Sequence, residues 1–177
     1  DVNHYIQNGF PTNSFSILGR GVKPIESNES LRLYNALYGG HHIAKFKMLL
    51  PHCSKFINHG KKYNIVDWAC GQGLALSMLI DYLHSMNKLD QINCIYLLEP
   101  SLIATNRAID LLKSQFEQYG LTTPDIIVKN KFFSETQITD ISAQTHNHFI
   151  HLFSNALDTN VDSTTHIMSI IKNLENL

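Results

Sequence analysis

Hydrophobic and polar positions follow two different rhythms along the chain from residue 61 onward. Short, nearly continuous apolar runs alternate with longer segments in which apolar residues recur at helical spacing. The first pattern predicts buried strands and the second predicts amphipathic helices. In chain order, the predicted elements are strand 65–68, helix 74–89, strand 92–98, helix 102–119, strand 125–129, helix 135–143, strand 149–153 and helix 163–174.

This alternation is typical of an α/β fold in which helices cover both faces of one parallel sheet. The strands of such a sheet are buried on both sides, and the predicted strands are accordingly apolar throughout. Ser101 is expected to cap the start of helix 102–119, and Gly120 is expected to close it. The sequence therefore predicts a three-layer sandwich with a Rossmann-like parallel sheet.

The N-terminal part of the chain has a different pattern. Residues 1–27 are rich in Asn, Ser, Gly and Pro and predict a loop or extended arm. Apolar spacing then predicts two helices separated by Gly39-Gly40, the second ending before Pro51, and a short helical piece through Phe56 and Ile57. We therefore expect an N-terminal arm and helical lid or cap segment over 1–60 and an α/β core over 61–177.

Composition narrows the classes of partner. The 177 residues carry 14 basic and 15 acidic side chains, for a formal net charge of -1, and 44% of the residues are hydrophobic. A nearly neutral chain has no large field with which to hold a polyanion. Its only arginines are Arg20, Arg32 and Arg107, which weakens any hypothesis of a bidentate phosphate clamp.

The three cysteines predict reduced thiols and a cytoplasmic location, because their number is odd and no C-x-x-C is present. No apolar run reaches the roughly 18 residues of a membrane span, and the first residues lack the pattern of a signal peptide. Histidine and cysteine between positions 41 and 59 match no strong ligand spacing, so no metal site is predicted.

The stretch IVDWACGQG, residues 65–73, places an acid and a glycine-rich turn between a strand and a helix. Ligands of parallel sheets bind at this edge, where Gly71 and Gly73 leave the backbone accessible and the helix N-terminus attracts anions. Asp67 favours a cation nearby, and Glu99, at the end of the next strand, suits the two hydroxyls of a ribose. An amino-acid group joined to a ribose describes S-adenosylmethionine.

Three motifs in order resemble those of class I S-adenosylmethionine-dependent methyltransferases: IVDWACGQG (65–73), LLEPS (97–101) and HLFSNALD (151–158). The resemblance covers about residues 63–174. It implies an enzyme that transfers a methyl group by in-line displacement, with proximity and orientation supplying much of the catalysis. The cofactor-binding residues implied are Asp67, Ala69, Gly71, Gly73, Glu99, Pro100, Phe132 and Ser154, together with Tyr38 and His41 of the helical cap. Asn155 and Asp158 are the catalytic candidates, for positioning the acceptor and taking its proton.

The sequence departs from the family pattern in three places. Ala69 replaces the first glycine of the turn, which keeps most of the room but is expected to lose the positive φ. The fourth strand lacks the Asn/Asp-Pro-Pro-Tyr/Phe motif of amino-methylating nucleic-acid enzymes. The usual fold continues with a fifth strand and an antiparallel final pair, and we expect this sequence to lack them, either because it is a fragment of a longer protein or because its fold is abbreviated. In the first case we expect a further domain or subunit to cover the edge of the fourth strand.

Several alternatives stay open at the level of sequence. A catalytically inactive methyltransferase-like binding or scaffolding domain fits the same motifs, and a glycine turn can also be a plain connector. A nicotinamide-binding domain fits less well, because GQGLAL places Leu76 where the third small residue belongs. The acceptor is expected to be a small molecule or a protein, while a partner domain could still supply nucleic-acid contacts. Some site candidates also have alternative roles that need no ligand. Glu99 could be a solvated acid, Asp158 a helix cap, and Phe132 or Phe133 a core residue.

Overall fold

A computed structural model describes residues 2–19, 23–53, 55, 57, 60–141, 148–154 and 161–175. Within these residues the chain forms a four-stranded sheet in the order β3-β2-β1-β4, in which every neighbouring pair is parallel. The strands are β1 (Tyr63–Trp68), β2 (Ile92–Leu98), β3 (Asp125–Lys129) and β4 (His148–Phe153). The prediction of an α/β fold with a parallel sheet is confirmed.

Seven α-helices accompany the sheet in the described part of the chain. They are α1 (Val2–Asn8), α2 (Ser14–Ile17), α3 (Asn28–Tyr34), α4 (Gly40–Cys53), α5 (Leu74–Ser85), α6 (Leu102–Gln118) and α7 (Val161–Glu175). Ser101 caps α6 by accepting a hydrogen bond from the Ala104 amide at 3.1 Å, and Gly120 follows this helix at a φ of +68°. Both predicted boundary residues therefore act as expected.

Two hydrophobic clusters occupy the two faces of the sheet. On one face, side chains of α4, α5 and α6 pack on Ile65, Ile95 and Leu97. On the other, α7 packs on Val66, Trp68 and their neighbours. The predicted apolar stripe of the last helix is confirmed by the buried side chains of Ile167, Ile170, Ile171 and Leu174. Because all four strands are parallel, their carboxyl ends lie at the same end of the sheet, which we call its carboxyl edge.

The prediction that residues 1–27 lack helices is wrong, because α1 and α2 lie within them. Tyr5 and Leu18 are buried against Leu33 of α3. These apolar anchors let short helices form in a segment whose overall composition is polar, since tertiary packing supplies most of the stability of a short helix.

The cap segment is one continuous helix over 28–53 rather than two helices separated by glycine. A π-helical turn, Asn35–Gly39, joins α3 directly to α4, and Pro51 lies within the last turn of α4. Gly39 is buried, and a Cβ at this position would lie 2.7 Å from the Asn35 Oδ1. The glycine therefore permits close packing and does not break the helix. Phe56, placed in the further helical piece, lies outside the described residues.

The prediction of a helix over 135–143 is also wrong for the residues of this range that the structure describes. This segment instead contains two short 3-10 turns, Phe133–Glu135 and Ile138–Asp140. The Asp140 carboxylate accepts hydrogen bonds from the Lys131 ammonium at 2.8 Å and from the Gln137 amide at 2.9 Å. These local bonds favour tight turns over a regular helix. Residues 142 and 143 lie outside the description.

None of the described helices is both long enough and apolar enough to cross a bilayer.

Candidate functional site

The glycine-rich turn begins directly after β1, and every second residue in it has a left-handed backbone conformation. Ala69, Gly71 and Gly73 have φ values of +50°, +51° and +73°. The expectation that Ala69 loses the positive φ is therefore wrong. The Cys70 amide donates to the Leu98 carbonyl at 3.2 Å, and the Gly73 amide donates to the Cys70 carbonyl at 2.8 Å. These two hydrogen bonds tie the turn to β2 and to itself, so that alanine is held in a conformation that glycine adopts more easily.

The two glycines have different roles in this turn. A Cβ at Gly73 would lie 2.8 Å from the Ala108 Cβ of α6, so this glycine allows the turn and the helix to pack closely. A Cβ at Gly71 would meet no atom within 4 Å. Gly71 is therefore the position at which the backbone of the turn borders open space.

The helix that follows the turn begins without a side-chain cap. Gly73 is its N-cap residue, and no side chain accepts a hydrogen bond there. The first amides of a helix have no partners inside the helix, and they carry the positive end of its dipole. The start of α5 is therefore suited to a carboxylate or another anionic group held beside Gly71.

Asp67 is the most unusual side chain at this edge. It is fully buried, and neither of its carboxyl oxygens has a hydrogen-bond partner among the described residues. Burial, and after it the nearby Glu99 carboxylate, raises the pKa of Asp67 to about 8. The side chain is accordingly protonated at neutral pH when nothing else neutralises it. A buried acid without partners is suited to receive a cation or a hydrogen-bond donor from a ligand.

Glu99 faces the glycine turn, as the sequence predicts. Its Oε2 accepts a hydrogen bond from the Gly71 amide at 3.1 Å, and its Oε1 accepts one from the Ser101 amide at 3.0 Å. Burial raises the pKa of Glu99, although these two amides act in the opposite direction. Each carboxylate oxygen can accept more than one hydrogen bond, so the group can also receive ligand hydroxyls.

The continuous helix of the cap segment covers this edge of the sheet. The Gln72 side chain, inside the glycine turn, donates from Nε2 to the Leu31 carbonyl of α3 at 2.9 Å. Tyr34 lies close enough to Glu99 for the carboxylate to contribute, after burial, to a raised pKa of the phenol. The turn and the cap are therefore in direct contact, with Gly71 partly exposed beside them.

The predicted cap residues Tyr38 and His41 and the neighbouring His42 have different surroundings. His41 is exposed, whereas His42 is buried and its Nδ1 lies 3.1 Å from the Ser154 Oγ. Tyr38 is half-buried, and its ring packs on Tyr34 with a centroid distance of 4.9 Å. In a regular helix, position 41 would follow Tyr34 on the same face. The π-helical turn adds one residue to that turn and so shifts the face to position 42.

The remaining predicted site residues lie around the same edge. Ser154 follows β4 directly and is half-buried, and Pro100 is half-buried between Glu99 and the cap of α6. Phe132 is 51% exposed, which argues against the alternative that it is a core residue. The Phe133 side chain and both catalytic candidates, Asn155 and Asp158, lie outside the description.

The only tryptophan of the chain lies at the end of β1. The Trp68 indole is buried and stacks on Phe153 of β4, with ring centroids 5.7 Å apart. Its Nε1 donates to the His151 Nδ1 at 3.1 Å. Burial lowers the pKa of His151 to about 4, so that this imidazole is neutral at physiological pH.

No group of three or more potential metal ligands converges among the residues that the structure describes. Cys53, Cys70 and Cys94 are free thiols, and burial raises the pKa of Cys70 well above its ordinary value, with further contributions from Asp67 and Glu99. No protein-family model and no curated protein sequence matches the chain.

Proposed function

We propose that this chain binds S-adenosylmethionine at the carboxyl edge of its sheet and transfers the methyl group to an acceptor. The observation that carries the proposal is the pair of buried carboxyl groups beside the glycine turn. Asp67 has two oxygens without partners, and Glu99 faces Gly71. A ligand that carries both a positive charge and adjacent hydroxyls satisfies these two acids together.

The residues present fit this cofactor. Asp67 would neutralise its positive charge, Glu99 would accept hydrogen bonds from the ribose, and the amides at the start of α5 would hold the carboxylate. Gly71 leaves room for the ligand beside the backbone. Phe132, exposed next to β3, is available for stacking on an aromatic base. When bound, the cofactor supplies an electrophilic methyl group.

The acceptor is proposed to be a small molecule or a protein. The nearly neutral charge offers little attraction for nucleic acid, and a partner domain would have to supply such contacts. A nicotinamide cofactor fits the fold less well. Leu76 is fully buried, at a position where the dinucleotide motif requires a small residue for close packing of helix on strand.

The second candidate is a domain that binds without turnover. The contact between Gln72 and Leu31 favours it, because the cap lies against the glycine turn and narrows access to both acids. A scaffolding domain needs no access to this edge, whereas an enzyme must admit and release its ligands. Calorimetric titration of the full chain with S-adenosylmethionine separates an enzyme from a scaffold that leaves this site unused, and a methyl-transfer assay separates an enzyme from a domain that binds the cofactor without turnover.

We expect binding at about micromolar concentration, weakened at least tenfold in Glu99→Gln and abolished in Gly71→Arg. Glu117→Gln, an exposed acid of α6, is the matched control and is expected to bind normally. The absence of binding by the wild-type chain would favour the scaffolding domain. Binding of NAD(H) with no response to S-adenosylmethionine would favour a dinucleotide-binding protein.

A further inference from the structure

Methylation of a hydroxyl or an amine requires a group that takes the proton of the acceptor. Among the described residues near the strand ends, Asp67 and Glu99 lie on the side assigned to the cofactor. His42 lies on another side of the site, against the end of β4. It is the buried imidazole that the cap segment brings to this edge.

The position of Ser154 connects this imidazole to the site. Phe153 pairs with Trp68 in the parallel register of β4 and β1. Ser154 therefore follows β4 at the level at which Ala69 begins the glycine turn. Ser154 is half-buried and His42 is buried, with the His42 Nδ1 at 3.1 Å from the Ser154 Oγ. The serine is therefore the more accessible member of this pair.

The surroundings of His42 keep its imidazole neutral. Burial lowers its pKa, and Lys45 and His41 on the same helix add to this effect. Tyr34 of α3 lies beside the ring with a centroid distance of 6.2 Å, and Ser154 faces it from β4. In a neutral imidazole one ring nitrogen is an acceptor, and it can take up a proton. These contacts place a proton acceptor and a hydroxyl in series.

We propose that Ser154 and His42 form a proton relay for the acceptor of the methyl group. The acceptor donates its proton to the Ser154 Oγ while the serine proton passes to the His42 Nδ1. The acceptor atom forms a bond to the methyl carbon, and the bond from that carbon to sulfur breaks with its electron pair left on sulfur. The serine ends unchanged and the imidazole ends protonated. This inference rests on the proposed function.

The relay restricts the class of acceptor. The attacking atom must carry a hydrogen, as in a hydroxyl or an amine with at least one N–H. A tertiary amine or a thioether has no proton to release and gains nothing from the relay. His42 and Ser154 therefore assign the site to acceptors that release a proton during methylation.

The tautomer of His42 tests the relay without any ligand. The serine hydroxyl can donate to Nδ1 only if the neutral ring carries its hydrogen on Nε2. Nitrogen-15 spectra of the full chain at pH 7 are expected to show that the His42 Nδ1 carries no proton. The chemical shift of this nitrogen should change in Ser154→Ala, which lacks the hydroxyl, and should stay the same in Ser154→Thr, which keeps it. His42→Gln assigns the signals. A protonated Nδ1, or a shift that Ser154→Ala leaves unchanged, would overturn the relay.

Methyl transfer to a panel of hydroxyl and primary-amine compounds tests the same relay in turnover. His42→Gln is expected to lower the rate about 100-fold or more, as for loss of a general base, and to remove the acidic limb of the pH profile. Its calorimetric affinity for S-adenosylmethionine should stay within about twofold of wild type. The exposed His52 of the same helix provides the control variant, His52→Gln, with an unchanged rate.

The outcomes separate this inference from the proposed function. If the wild-type chain does not bind S-adenosylmethionine, the proposed function is contradicted. The tautomer measurement still tests the contact between His42 and Ser154 in that case. Normal cofactor binding combined with an unchanged rate in His42→Gln overturns the relay. Normal binding without transfer to any hydroxyl or amine of the panel overturns it as well.

Discussion

At the scale of single residues, Asp67 controls how the stability of the protein depends on pH. Its pKa is raised from 3.8 to about 8, so the folded state holds this proton more tightly than the unfolded state does. Stability therefore decreases as the pH rises from about 4 to about 8, where the unfolded chain has released the proton and the folded chain has not. This contribution is largest below about pH 4.

The free energy of unfolding of Asp67→Asn minus that of the wild-type protein is predicted to be larger at pH 8 than at pH 4. One retained proton gives a slope of at most about 1.4 kcal/mol per pH unit. Urea unfolding of both proteins at intervals from pH 4 to 9 measures the difference. Asp110→Asn, an exposed acid of α6, should show no such trend. A difference between Asp67→Asn and wild type that does not change with pH would contradict the assignment.

His151 adds a slope of the opposite sign at lower pH. Its pKa is lowered to about 4, so the unfolded chain binds this proton more tightly, and stability rises with pH between about 4 and 6.5. The contributions of Asp67 and His151 oppose each other in that window. Between about pH 6.5 and 8 the rise caused by His151 has ended and the decrease caused by Asp67 continues, so this is the range to sample most closely.

Binding of S-adenosylmethionine is predicted to release a proton. A positive charge placed beside Asp67 lowers its pKa, so the carboxyl group ionises as the ligand binds. Close to one proton should leave at pH 7 and fewer should leave above pH 8. Calorimetry in two buffers with different heats of ionisation counts the protons. Asp67→Asn should bind more weakly and release none, and an equal release from this variant would assign the proton to another group.

Ala69 has a backbone conformation that disfavours its own side chain. The left-handed region costs a residue other than glycine about 1–2 kcal/mol, while glycine gives the unfolded chain extra freedom worth about 0.4–1 kcal/mol. Ala69→Gly is therefore predicted to stabilise the protein by about 0.5–1 kcal/mol. Chemical denaturation measures this change. Ala44→Gly, an exposed site within α4, is predicted to destabilise by about 1 kcal/mol instead. Destabilisation by Ala69→Gly would argue against strain at this turn.

At the scale of elements, the core strands and helices follow closely from the sequence. Strands β2 and β3 have the predicted bounds, and helix α6 ends one residue early. Continuous apolar runs and residues such as Ser101 act locally, so a reader of the sequence can place them. The prediction of two separate cap helices is wrong, because Gly39-Gly40 does not break the helix in its folded surroundings. Gly39 is buried there, close to the Asn35 side chain, and such packing has no local signature in the sequence.

The two glycines of the cap are predicted to respond differently to alanine. A Cβ at Gly40 would meet no atom within 4 Å, whereas a Cβ at Gly39 would lie 2.7 Å from the Asn35 Oδ1. Gly40→Ala should stabilise by up to about 1 kcal/mol through helix propensity. Gly39→Ala should gain less, because the exposed Asn35 side chain must first move away from the new Cβ. Thermal unfolding of the two variants side by side measures the difference, and equal effects would contradict the close approach at position 39.

At the scale of the whole molecule, the sequence predicts the carboxyl edge of the sheet but not what covers it. Asp67, Gly71 and Glu99 converge because parallel strands end together. The Gln72 contact with Leu31 and the His42 contact with Ser154 join residues far apart in the chain. No local pattern encodes such pairs, and the extra residue of the π-helical turn changes which histidine faces the site. The contacts by which the cap segment covers the site therefore cannot be predicted from the sequence alone.

The two outermost strands of the sheet are β3 and β4. In the described part of the chain, β4 pairs with β1 alone, and its other side has no partner strand. An unpaired edge is a template for further strands unless something covers it. The expectation that a further domain or subunit covers β4 stays a prediction.

The position of Trp68 makes the protein its own optical reporter. The Trp68 indole stacks on Phe153 and is followed directly by Ala69, so it joins the ends of β1 and β4 to the first residue of the glycine turn. Because the chain has a single tryptophan, fluorescence excited selectively at the indole comes from one known place. Rapid mixing with an unlabelled compound can therefore time events at this edge of the sheet without a dye or an engineered probe.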